Sequence, residues 1–352
     1  MQGDLLKTKQ HFEILDGLRG VAAIVVVIFH FMEIVYDPAH NFVGHGFMAV
    51  DFFFCLSGFV IAYAYDSRIE KMGLKSFLIS RIIRLHPLVV LGAVLGLIAF
   101  LADPFMPVPG GYNIAWLFLA SILMIPYPVV AERYFNLFNL NAPSWSLFWE
   151  YVANVLYGVV LWRLPKQVLV GMMVLAAGML GYVSFTAGNL LGGWSGETFW
   201  HGGARIAYSF LAGMVVYRYD WIIKNRLGFV GMAVLLVAAL LMPHTGYNWI
   251  TEWLVVVLYF PLLVSLGAGA GMQVATEKLC NFLGQISYPL YMTHYMVMFM
   301  FANYYSQYKP GTGQLVGIIV VGLVVLIGFA YLVMRVYDIP VRRYLTKLRG
   351  HS

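Results

Sequence analysis

Apolar residues along the chain neither alternate with polar ones nor recur as a one-sided helical stripe. They form runs of eighteen to twenty-five residues separated by short polar connections. Such a run, wound as a helix, crosses roughly 30 Å of hydrocarbon. The pattern predicts ten crossings, at 17–36, 47–65, 77–102, 144–163, 168–187, 201–219, 227–242, 250–267, 282–303 and 313–335. One stretch, 112–143, begins apolar and is then broken by Pro126, Pro128, Glu132, Arg133, Asn139, Asn141 and Pro143. The expected fold is therefore all-α: a polytopic bundle of about ten transmembrane helices plus a re-entrant or irregular segment near 112–143.

Basic residues gather at the cytosolic ends of membrane helices, and this rule decides how 112–143 is read. If that segment turns back without crossing, all but three of the 22 basic residues fall on the cytosolic side, the exceptions being Arg133, Arg205 and Lys309. Counting it as a crossing moves eleven to the outside. The first reading is preferred, and it puts both termini in the cytosol. Irregular backbone at membrane depth survives only where protein or water satisfies it, so 112–143 is expected to border a cavity.

Composition agrees: 61% of residues are hydrophobic and 11% charged, against roughly a quarter charged in soluble domains. The net charge of +6 does not argue for nucleic acid, because the basic residues sit at the ends of apolar runs without forming blocks. Cys55 and Cys280 offer neither a disulfide framework nor metal-ligand spacing, and no metal is expected. The first run contains Arg19 and His30 and no clear cleavage site, so it is read as a retained span and not a signal peptide. With no repeat or soluble appendage in view, 1–352 is taken as one integral-membrane domain.

Ionisable groups inside membrane helices are expensive and tend to face a cavity, which makes them candidates for chemistry. Arg19 and His30 are eleven residues apart, about 20° around one helix and roughly 16 Å along it. They line one face at two depths. The fourth span opens Ser144, Trp145, Ser146, Leu147, Phe148, Trp149, Glu150. If Ser144 lies at the outer surface, Glu150 comes within a turn or two of His30 and could orient it as a general base; alternatively Glu150 pairs with Arg205. Ser146 shares the Glu150 face.

Arg81 and Arg84 share a face in the cytosolic half of the third span, and with Arg19 they could bind phosphate through paired guanidinium donors. Plain positive-inside anchoring is the alternative. Ser287, Tyr291 and His294 share a face of the ninth span, with His294 either structural or in contact with substrate. Asp51, Ser57 and Gly58 in the second span serve either a site or helix packing.

These residues resemble a known family. The stretch Leu15-Asp16-Gly17-Leu18-Arg19-Gly20, the Arg19 to His30 spacing, Asp51 to Phe59, Arg81 to Pro87, Trp145 to Glu150 and Ser287 to His294 are similar, in the same order, to motifs of the acyltransferase 3 family of membrane O-acyltransferases. The resemblance implies that Arg19 and His30 are the activity-bearing pair. It also implies functional roles for Arg81, Arg84 and the Ser146 to Glu150 element. It further implies acylation, mostly of extracytoplasmic glycans such as exopolysaccharide or lipopolysaccharide. Some relatives carry an added esterase-like domain; none is seen here, which makes peptidoglycan a less expected acceptor.

The combined expectation is a bacterial inner-membrane O-acyltransferase. Acyl-CoA, with acetyl the expected group, is held by Arg19, Arg81 and Arg84, while His30 acts as base with Glu150 as its orienter. Trp145, Ser146, Ser57, Tyr291, His294 and Arg205 are expected to bind substrate or support the site, and the acceptor is a glycan or lipid-linked sugar. Acylation of a small molecule or lipid is the alternative within this class. A secondary transporter is the rival outside it, although transporters usually show paired broken helices and only one broken region is found.

Overall fold

The computed structural model describes residues 12–350; the termini 1–11 and 351–352, on which part of the expected cytosolic placement rests, lie outside the described residues. Every described element is helical apart from two isolated bridges. In chain order the helices are α1 (Glu13–Val35), α2 (Ala49–Tyr65), α3 (Ile69–Met72), α4 (Leu74–Leu101), α5 (Ile114–Ile122), α6 (Ser144–Val159), α7 (Lys166–Ala187) and α8 (Phe199–Arg218). They continue with α9 (Gly228–Leu240), α10 (Asn248–Leu254), α11 (Phe260–Gly269), α12 (Val274–Thr293), α13 (Tyr295–Tyr308), α14 (Thr312–Val333) and α15 (Ile339–Gly350). A π-turn at Val255–Tyr259 joins α10 to α11, and another at Met334–Asp338 joins α14 to α15.

Each predicted run coincides with helix, and six helical stretches are long and apolar enough to cross a membrane. These are Glu13–Val35, Gly46–Tyr65, Leu74–Leu101, Lys166–Ala187, Asn248–Gly269 and Thr312–Arg349. α6 and α9 fall short in length, with 16 and 13 residues. The run 282–303 is not one helix: it breaks at His294 between α12 and α13.

Close approach of backbones decides which helices form the centre. A Cβ on Gly58 of α2 would stand 2.0 Å from the Phe210 carbonyl oxygen of α8, and one on Gly213 of α8 would stand 1.9 Å from the Cys55 carbonyl oxygen. Neither position admits a side chain, as expected where membrane helices pack through small residues. Gly58 is thus explained by packing. The window in the α2 stretch is 72% buried, against 17% for the stretch containing α14, so α2 is central and α14 peripheral. Cys55 and Cys280 are buried free thiols.

The segment 112–143 does not contain a crossing helix. α5 has nine residues, or about 14 Å of helix, under half the hydrocarbon thickness. Its irregular remainder is fastened to the bundle. Leu137 N–H donates to the Trp194 carbonyl at 2.9 Å and Asn141 Nδ2 donates to the Met292 carbonyl at 3.0 Å, while Asn139 Nδ2 braces the segment internally by donating to the Tyr127 carbonyl at 2.5 Å. Residues 136–147 are all buried. The chain therefore enters α6 from inside the protein and not from its outer surface, which fixes the depth of everything that follows on that helix.

Candidate active site

Two of the cavities in the bundle are lined by the predicted polar residues. The first, about 230 Å³, is lined by Arg19 of α1, Ser57 of α2, Arg81 and Arg84 of α4, Ser146 and Glu150 of α6, and Ser287 and Tyr291 of α12. Five helices thus deliver most of the predicted polar residues to one space. The second, about 520 Å³, is lined by His30, Glu33, Arg133, Trp145, Arg205, Tyr295 and Lys309 among others. Val50 and Tyr291 line both, so the two spaces meet at these side chains.

In the first cavity the guanidiniums differ in what holds them. Arg19 donates through Nε to Ser287 Oγ at 3.0 Å and through a terminal nitrogen to the Gly284 carbonyl at 3.1 Å, and it pairs with Asp16 at 2.7 Å. Arg81 donates through Nε to Asn154 Oδ1 at 2.9 Å and pairs with Glu150 at 3.3 Å. Arg84 makes no hydrogen bond or ion pair among the described residues. It lies in the fields of three like charges, Arg342, Arg19 and Arg81, and of one opposing charge, Asp338. An intramembrane cation without a paired anion is costly, and a cavity-lining guanidinium in that state is suited to bind an anion from outside the protein.

Glu150 is not the partner of His30. Its Oε1 accepts from Ser57 Oγ at 2.6 Å and from Arg81 at 3.3 Å, both within the first cavity. The expectation failed because α6 starts within the protein, which sets Glu150 deeper than a helix starting at the outer surface would. Nor does Glu150 pair with Arg205, whose Nε and terminal nitrogen both bind Asp51, at 3.0 and 2.6 Å. Arg205 also donates to the Gly192 and Phe47 carbonyls at 2.9 and 3.1 Å. It is 1% exposed and Asp51 0%, a fully satisfied pair that ties α2 to α8.

The carboxylate at His30 is Glu33, whose Oε1 accepts from the His30 Nδ1. An Nδ1–H given to Glu33 leaves Nε2 as the basic nitrogen, and Nε2 has no hydrogen-bond partner among the described residues. Behind the imidazole, His294 stacks at 5.3 Å between ring centroids and Tyr295 meets it edge-on at 5.0 Å. His294 itself is fully buried, has Nδ1 at 3.1 Å from the Leu290 carbonyl and lines neither cavity. It packs against His30, and its buried Nε2 has no hydrogen-bond partner among the described residues. Ser146 Oγ and Tyr291 OH share a 2.8 Å hydrogen bond at the junction of the cavities, and Trp145 lines the second cavity beneath Arg205.

Sequence reasoning missed Glu33, although it lies at i+3 from His30, a spacing that puts both on one helix face. Asn154, one turn beyond Glu150, was missed for the same reason. Arg342 could not be found from spacing, since only the π-turn and α15 bring it near Arg84.

A family model described as an acyltransferase domain, Acyl_transf_3, matches residues 12–335. "Protein 2 in picA locus" of Rhizobium radiobacter is 36% identical over 162 residues, which are 42% of this chain and 81% of that protein. "Putative O-acetyltransferase SACOL0978" of Staphylococcus aureus (strain COL) is 24% identical over 94% of this chain and 57% of its own length; the same holds for its counterpart in strain N315. The chain therefore spans a little over half the length of these staphylococcal relatives. No solved structure matches. With the family match running through nearly all of the described helices, the chain belongs to the acyltransferase 3 family.

Proposed function

We propose that the protein is an inner-membrane O-acyltransferase that moves an acyl group, acetyl in the simplest case, from cytosolic acyl-CoA to a hydroxyl of an extracytoplasmic glycan. On this reading it has ten spans and cytosolic termini, supported by the basic residues that cluster on one side. The observation that carries the proposal is the junction at Val50 and Tyr291 between a cavity holding the unpaired Arg84 and one holding the Glu33-oriented His30.

The donor fits the first cavity in kind, because the lining offers an unpartnered guanidinium beside Arg19 and Arg81 for phosphate. When bound it supplies a thioester carbonyl as electrophile. His30 Nε2 takes the proton from the acceptor hydroxyl as the oxygen attacks that carbon. The C–S bond breaks, and His30 returns the proton to the departing thiolate. Glu33 holds the imidazole in the required tautomer throughout and stabilises its charged form.

His30→Ala is expected to lower acetyl transfer by about 10²- to 10⁴-fold at unchanged protein level, measured as CoA release from acetyl-CoA by purified protein and as O-acetyl content of surface glycan in cells. Wild-type rates in both would remove His30 from the mechanism.

A further inference from the structure

The three basic residues that charge counting left off the cytosolic side all line the cavity that holds His30. They come from distant parts of the chain and are not equivalent. Arg205 is neutralised by Asp51. Arg133 is 7% exposed and its guanidinium lies between two rings, 4.7 Å from the Phe100 centroid and 4.0 Å from that of Phe299. One of its N–H groups donates to the Asn139 carbonyl at 2.5 Å. Among the described residues no carboxylate is close enough to pair with it. The field of Asp103 reaches it, but that carboxylate already accepts from Asn303 Nδ2 and Phe105 N–H. Lys309 is exposed on the same cavity, with Nζ 4.6 Å from the Tyr305 centroid and no acid partner among the described residues. The acid that lines the cavity with them, Glu33, is engaged by His30.

A buried guanidinium without a counter-ion is costly, and ring faces offset only about 0.5–2 kcal/mol of that. Arg133 lines the cavity, and its N–H groups other than the one bound to Asn139 have no hydrogen-bond partner among the described residues; they belong to the planar fork of donors that matches carboxylate or phosphate. Trp145, Trp194 and Tyr295 supply flat apolar faces around the same space.

We infer that the second cavity selects an acceptor sugar bearing an anionic substituent, a carboxylate or a phosphate, which Arg133 pairs and Lys309 attracts so that a neighbouring hydroxyl meets His30. The inference rests on the acyl-transfer reading and adds the acceptor's charge. Calorimetric titration of the purified full-length chain with methyl glucuronide, glucose 1-phosphate and neutral methyl glucoside tests it. At least one charged sugar should bind about tenfold or more tighter than the neutral one, as a hydrogen-bonded charge implies. The better of the two identifies the anion. The preference should disappear in Arg133→Gln, survive in part in Arg133→Lys and weaken in Lys309→Gln. Because Arg133 also anchors the 112–143 segment, the exposed Lys309 variant reads the effect if Arg133→Gln fails to fold. Equal affinity for all three sugars, no binding of either charged sugar, or a preference undiminished in both Gln variants overturns the inference. CoA release from acetyl-CoA by the wild-type protein without sugar is measured beside it, so that a failed catalytic reading is seen separately from a failed acceptor assignment.

Discussion

Arg205 and Arg84 are both guanidiniums inside a membrane bundle, and the protein treats them in opposite ways. Arg205 has a carboxylate on two of its nitrogens and carbonyls on the rest of its fork. Arg84 has like charges around it and no bonded partner among the described residues. Spacing and hydropathy cannot separate the two, since each is a cation within a predominantly apolar run. Partners can: a satisfied buried ion pair organises the fold, whereas an unsatisfied one facing a cavity awaits a ligand.

The sharpest way to break that contrast is to truncate both. Arg205→Ala leaves Asp51 buried and unpaired, a loss of about 3–5 kcal/mol, and is expected to abolish monodisperse protein in detergent. A normally folded variant with the wild-type melting temperature would show the pair to be dispensable. Arg84→Ala removes a cation that no carboxylate pairs with among the described residues, so its melting temperature should equal or exceed the wild-type value. Its affinity for acetyl-CoA should fall by about 10- to 100-fold, corresponding to about 1.5–3 kcal/mol for hydrogen bonds to a charged group. Unchanged binding would remove the phosphate role, and a collapsed fold would make Arg84 structural.

The two carboxylates extend the comparison with smaller effects. Glu33→Gln is expected to lower kcat by about tenfold, a fraction of what a positioned base contributes, without weakening acetyl-CoA binding. Glu150→Gln, which loosens Arg81, is expected to act mainly on the apparent affinity for acetyl-CoA. Reversed signatures would return Glu150 to His30.

How much of this was legible in the sequence follows from what each feature depends on. Helix positions and the irregularity of 112–143 could be read directly, because chain-local hydropathy and proline content dictate them. The gathering of Arg19, Arg81, Ser57, Ser146 and Tyr291 was legible as a set of costly polar residues on helix faces. The pairing of Glu150 was not, because it depends on where α6 begins, and the buried run 136–147 that sets this depth is held by tertiary bonds to Trp194 and Met292. The break at His294 was hidden for a related reason: Pro289 lies five residues earlier, inside α12 and not at its end. Arg133 was visible only as a residue that charge counting could not place in the cytosol; its sandwich between Phe100 and Phe299 joins parts of the chain some 200 residues apart.

The central claim is that donor and acceptor cavities communicate past Val50 and Tyr291. Val50→Phe, which adds bulk at that junction with an overpacking cost of about 1–3 kcal/mol, tests it when acetyl-CoA binding and CoA release are measured on the same purified sample. Binding near the wild-type level with release reduced by at least about tenfold is the predicted result; wild-type release alongside wild-type binding would contradict the account.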